Sequence, residues 1–86
     1  MNLYFKQTCE ACPEQYDVLD LDDNSKQVAY VRLRWGHLRV DVPDCGGNMI
    51  YSHEFDDGLK GCFYYGERDG FLEEIQKQIL AYYGVK

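Results

Sequence analysis

The stretch Gln27-Val28-Ala29-Tyr30-Val31-Arg32-Leu33-Arg34-Trp35-Gly36-His37-Leu38-Arg39-Val40-Asp41-Val42 decides the fold. Ala29, Val31, Leu33 and Trp35 recur at period two, and Val28, Tyr30, Arg32 and Arg34 fill the alternate positions. Such alternation marks a strand with one buried face. Gly36-His37 reads as a two-residue turn with glycine first, which suits a type II′ hairpin. On the return, Leu38, Val40 and Val42 continue the apolar face. This register sets Arg34 opposite Arg39 and Arg32 opposite Asp41. It also places Trp35 on the buried side of the hairpin.

Further strands are expected on both sides. Leu3 to Gln7 is a short aromatic run suited to a sheet edge, and Tyr16 to Leu21 alternates, with Tyr16, Val18 and Asp20 on one side. Asp22-Asp23-Asn24-Ser25 has turn chemistry, since these side chains hydrogen-bond nearby backbone. Downstream, Pro43-Asp44-Cys45-Gly46-Gly47-Asn48 is a second turn. Met49 to Phe55 reads as a strand, Asp56-Asp57-Gly58 as a turn, and Leu59 to Tyr65 as a further strand candidate weakened by Gly61. The period then changes. Leu72, Ile75 and Ile79, followed by Tyr82 or Tyr83, recur at helical spacing. Asp69 is the expected N-cap, Glu73 and Glu74 suit the positive end of the dipole, and Gly84 suits a C′ position. The fold expected is α+β: an antiparallel meander of four to five strands packed on one C-terminal helix, all in a single domain spanning residues 1–86. Trp35, Leu72, Ile75 and Ile79 would meet between the layers.

Composition bounds the function. With 86 residues, one small domain is expected, with a thin core. Nine Lys+Arg against 15 Asp+Glu give a net charge of −6, which argues against direct binding of nucleic acid or of an anionic membrane surface. No apolar run approaches a membrane span, and Met1 to Lys6 shows neither a basic leader nor a signal-like apolar stretch; a cytoplasmic protein is expected. The sequence contains no Gly-rich phosphate loop, H-E-x-x-H or G-x-S-x-G motif, and a non-enzymatic protein is the expectation. A Cys–His pair drawn from Cys45 or Cys62 with His37 or His53 would have to be assembled by the fold.

Three groups of residues carry candidate chemistry. Three of the four arginines, Arg32, Arg34 and Arg39, fall on the polar hairpin face with Tyr30 and His37. Their planar forks match carboxylate and phosphate, and Tyr30 or His37 offers a ring for stacking. The competing reading is internal cross-strand pairing with Asp41 and neighbouring acids. Glu10, Glu14, Asp17, Asp20, Asp22 and Asp23 form an acidic arm with no intervening Lys or Arg, and Tyr16 lies within it. Such an arm steers toward a basic partner, including the groove of a nucleic-acid-binding or defence protein; its bland reading is simple solvation. Cys9 and Cys12 form a C-x-x-C, and with Cys45 and Cys62 they make a candidate zinc set. Against this, loop cysteines and small apolar fillers need no metal, and no cofactor is the default expectation.

Pro13-Glu14-Gln15-Tyr16-Asp17-Val18, Tyr30-Val31-Arg32-Leu33-Arg34-Trp35-Gly36, Gly46-Gly47 and Glu67-Arg68-Asp69 together resemble a group of small uncharacterised proteins of bacteria and their phages. The resemblance implies a context and no site: a phage-type accessory or anti-defence factor that blocks a bacterial protein. The alternatives are a protein that sequesters a nucleotide or other small phosphorylated ligand through the arginine hairpin, as a homodimer if one chain cannot enclose the pocket, and a zinc-stapled interaction module.

Overall fold

A computed structural model describes residues 1–9 and 13–85. Its strands are β1 (Leu3–Cys9), β2 (Glu14–Asp20), β3 (Lys26–Arg34), β4 (His37–Val42) and β5 (Asn48–Glu54), followed by one helix, α1 (Arg68–Tyr82). The sheet order is β1-β2-β3-β4-β5, every pair antiparallel, so the expected meander of four to five strands with a C-terminal helix forms with five. One sheet face carries Val18, Ala29, Val31, Leu33, Leu38 and Val40, and these pack with Ile75 and Ile79 of the helix; all eight are fully buried. This is the thin core that one sheet face and one helix stripe supply.

Val28 departs from simple alternation. A bulge opposite Val18 and Leu19 lets Val28 join Ala29 in the core, as an extra residue in one strand re-aims its side chain. The Tyr83 hydroxyl donates to the Val28 carbonyl at 2.6 Å, tying the helix end to this bulge. Gly84, at φ 75°, ends the helix as expected. Its N–H donates to Ala81 O at 3.1 Å and that of Val85 to Leu80 O at 2.9 Å, a Schellman pattern.

Three local expectations are corrected. The hairpin turn is Trp35-Gly36, one residue earlier than the sequence suggests, with φ of 54° and 71°. Positive φ at both positions is the type I′ geometry that matches strand twist. The register becomes Arg34 opposite His37, Leu33 opposite Leu38, Arg32 opposite Arg39 and Tyr30 opposite Asp41. Trp35 therefore leaves the core and stands 63% exposed. Leu59 to Tyr65 is loop, because its backbone groups bond elsewhere: Lys60 O accepts from Gly36 N–H at 2.7 Å, and Gly61 O accepts from Glu14 N–H. The helix begins at Arg68 with Glu67, not Asp69, at the N-cap. Glu67 makes no cap bond because its carboxylate is held by Lys60 Nζ at 2.6 Å and by the Tyr64 N–H.

Candidate functional site

The hairpin tip gathers the charges that the fold leaves over. Gly36 is pinned on both sides: its N–H donates to Lys60 O, and its carbonyl accepts from Phe55 N–H at 2.8 Å. A Cβ there would stand 2.4 Å from the Asp57 carbonyl oxygen, so the loop from 55 to 61 wraps the tip only around glycine. Trp35 is thereby fixed in the left-handed region, which costs an L-residue with a bulky side chain about 1–2 kcal/mol. The Arg34 guanidinium carbon lies 5.7 Å from the Trp35 ring centroid, a cation–π distance.

Two hollows share Trp35 and Arg34. One, of about 320 Å³, is walled by Arg32, Arg34, Trp35, His37, Arg39 and Glu54. The other, of about 380 Å³, runs past Pro13, Leu59 and Gly61. Leu59 is exposed, so Trp35 and Leu59 present apolar surface flanked by arginine.

The three hairpin arginines are not equivalent. Arg39 donates through Nε at 3.1 Å and a terminal nitrogen at 2.9 Å to Asp41, which is 2% exposed and also accepts from Gly46 N–H at 3.2 Å. The internal-pairing reading thus describes Arg39. Among the described residues, Arg32 and Arg34 make no ion pair with a carboxylate. Arg32 instead faces Arg39 across the ladder. The like-charge pair is therefore Arg32 with Arg39, not Arg34 with Arg39. His37 Nδ1 lies 3.5 Å from Glu54. Tyr30 is corrected as a stacking platform, because it is buried; that burial, with Cys45 and Asp17 nearby, pushes its phenol pKa up.

The acidic arm is corrected more deeply. Glu14 is 1% exposed and Tyr16 is 5% exposed, so neither offers a surface contact. The Glu14 carboxylate accepts from Arg68 Nε at 2.7 Å, from its terminal nitrogen at 3.1 Å, from Phe63 N–H at 3.1 Å and from the Tyr16 hydroxyl. Burial acts to raise the Glu14 pKa, but the bonds from Arg68, Tyr16 and Phe63 outweigh it and hold the carboxyl below its usual value. Burial, then the bond to Glu14, pushes the Tyr16 phenol up to about 12. Asp20, also buried, accepts from the N–H groups of Asn2 at 3.1 Å and Asp22 at 3.0 Å. Half-buried Asp17 accepts from Gln27 at 3.2 Å. Of the described arm only Asp22 and Asp23 are exposed, and the Asp22 carboxylate lies 3.6 Å from the N-terminal ammonium; Glu10 lies outside the described residues.

Among the cysteines, Cys9 and Cys45 carry free thiols, at the end of β1 and in the turn after β4. Cys62 is disulfide-bonded, and a disulfide sulfur is not a thiolate ligand. Cys12 lies outside the described residues. The described residues hold no group of three or more His, Cys, Asp or Glu side chains placed to bind a metal. No described helix is long and apolar enough to cross a membrane. Comparison with protein-family models, curated proteins and solved structures finds no match.

Proposed function

We propose that this is a non-enzymatic binding protein that docks an acidic surface of a bacterial protein through its hairpin tip, with Trp35 as anchor and Arg32 and Arg34 as the charged rim. One observation carries the reading: a strained, exposed tryptophan stands beside Arg34 and shares a hollow with Arg32, two arginines that lack carboxylate partners among the described residues, in a chain of net charge −6. Trp and Arg dominate interface hot spots, and a turn whose backbone is already held before binding loses little backbone entropy on docking. The bacterial and phage resemblance supplies the kind of partner, and blocking that partner's working surface is the corresponding role.

The test compares immobilised parent, Trp35→Ala and Arg34→Glu chains in bacterial lysate at low salt. The reading expects a specific protein on the parent that both variants lose, and that binds again when purified. No specific protein, or one retained equally by both variants, overturns it.

The hollow of about 320 Å³ favours a second reading, a small phosphorylated ligand gripped by Arg32 and Arg34 with Trp35 stacked on a base. A nucleotide panel read by thermal unfolding checks it. A ligand at a hundred times its Kd adds about 2.7 kcal/mol of stability, and a flat response across the panel removes this reading.

A further inference from the structure

The two hollows at the hairpin tip differ in chemistry, and Trp35 and Arg34 wall both. The hollow of about 320 Å³ carries more positive charge than it answers. Arg39 is spent on Asp41, and Glu54 on that wall stands 3.5 Å from His37. Arg32 and Arg34 remain without a carboxylate partner among the described residues. The hollow of about 380 Å³ is walled instead by Pro13, Leu59 and Gly61 with Trp35 and Arg34, and no acidic side chain among the described residues lines it.

Leu59 is the member of the second hollow that the fold does not need. It is 79% exposed, although the backbone around it is tied down. Its N–H donates to Asp57 Oδ1 at 2.9 Å. The next residue, Lys60, is buried, with its ammonium 2.6 Å from Glu67 and 3.2 Å from the centre of the Tyr64 ring, and its carbonyl accepts from Gly36 N–H. The loop thus presents leucine on a held backbone, beside a tryptophan presented in the same way. One exposed leucine is ordinary on a small protein. Leu59 and Trp35 on one hollow, with Arg34 at its rim, are contiguous apolar surface bordered by charge, the pattern of a contact site.

Ligand pockets run from about 300 to 1,000 Å³, so each hollow has room for a side chain or two and not for a folded element. Because they share Arg34 and Trp35, the occupant must carry an acidic and an apolar group close together. An extended chain advances about 3.3 Å per residue, so neighbouring residues of one linear segment meet that requirement. We infer that the hairpin tip binds a linear peptide segment in which an apolar side chain fills the Leu59 hollow and an adjacent Asp or Glu pairs with Arg34 and Arg32. The inference rests on the reading of the tip as a binding site, and it adds Leu59 as the residue that selects the apolar position.

A display library of random linear peptides, selected on the immobilised full chain, tests it. Enrichment of an apolar residue flanked by Asp or Glu is expected. The enriched peptide, once synthesised, should bind Leu59→Ser about tenfold more weakly than the parent. Replacing its apolar residue with alanine should cost about as much on the parent and little more on Leu59→Ser, because both changes remove one contact. The peptide-side replacement reads that contact without altering the protein. Selection repeated on Arg34→Glu should lose the acidic preference. Leu59 and Arg34 are exposed, so both variants should keep the parent's thermal unfolding. No enrichment, enriched peptides lacking an apolar or an acidic position, or losses that simply add on Leu59→Ser overturn the inference. The reading of the tip as a binding site fails separately, in the lysate capture, where a folded partner held by the parent and lost by Trp35→Ala would be retained even if every linear peptide failed.

Discussion

Glu14 and Arg34 are charged residues placed within reach of the same loop, and the fold treats them in opposite ways. Around Glu14 both carboxylate oxygens are occupied, by Arg68, Tyr16 and the Phe63 N–H, and the group is buried. Around Arg34 the only described partner is the exposed ring of Trp35. A buried carboxylate must be paired and hydrogen-bonded, or it would cost several kcal/mol. An arginine in solvent carries no such penalty and stays available. The first cluster fastens the loop and the helix start to β2; the second is free for an outside contact. If that contrast is right, breaking the first should unfold the protein, and breaking the second should leave it standing.

The largest effect is expected from Arg68→Ala, which strands a buried carboxylate. It should cost about 3 kcal/mol in urea unfolding, toward the low end for buried pairs because the Arg68 side chain is itself 43% exposed. A loss under about 1 kcal/mol would reduce the cluster to an ordinary surface pair. Next comes Gly36→Ala, where a Cβ meets the Asp57 carbonyl and an unfavourable φ together. A loss of about 2–3 kcal/mol is expected, and a neutral result would show that the loop does not clamp the tip.

Smaller and pH-dependent is the contribution of Tyr16. Its folded pKa of about 12 lies above the ordinary value of 10, so its contribution is complete below pH 10 and disappears as pH rises through about 12. For Glu14 the folded pKa lies below 4.5, so its contribution is present above pH 4.5 and is lost as pH falls through the lowered value. Tyr16→Phe should cost about 1 kcal/mol at neutral pH and flatten the alkaline limb of a stability–pH profile. An unchanged alkaline limb would place the titration elsewhere. Smallest of all, Arg32→Ala with Arg34→Ala should change stability by less than about 0.5 kcal/mol. Arg39→Ala should not share this tolerance, since it strips the buried Asp41 carboxylate of its guanidinium.

Much of the contrast was hidden in the sequence. The sheet and helix were legible because alternation at Val31, Leu33, Leu38 and Val40 and the spacing of Ile75 and Ile79 are local signals. Glu14, Tyr16 and Asp20 read as an acidic surface because their partners are remote: Arg68 lies 54 residues from Glu14. Nothing nearby announces that the loop after β5 folds over the start of β2. The turn was misplaced by one residue for a different reason. Type I′ turns favour Asn, Asp or Gly at the first central position, and Trp35 breaks that preference. The same break exposes the residue best suited to an interface, so the failure of the local rule and the candidate site coincide at one position.

That coincidence can be tested on Trp35 alone. Trp35→Asn restores the residue pair the turn prefers, removes the exposed ring and leaves the Gly36 clamp intact. If Trp35 is kept for contact and not for folding, the urea midpoint should rise, by an amount corresponding to about 1 kcal/mol, with an unchanged m value. A fall of more than about 1 kcal/mol would contradict the account, because it would show that the tryptophan supports the fold from outside the core.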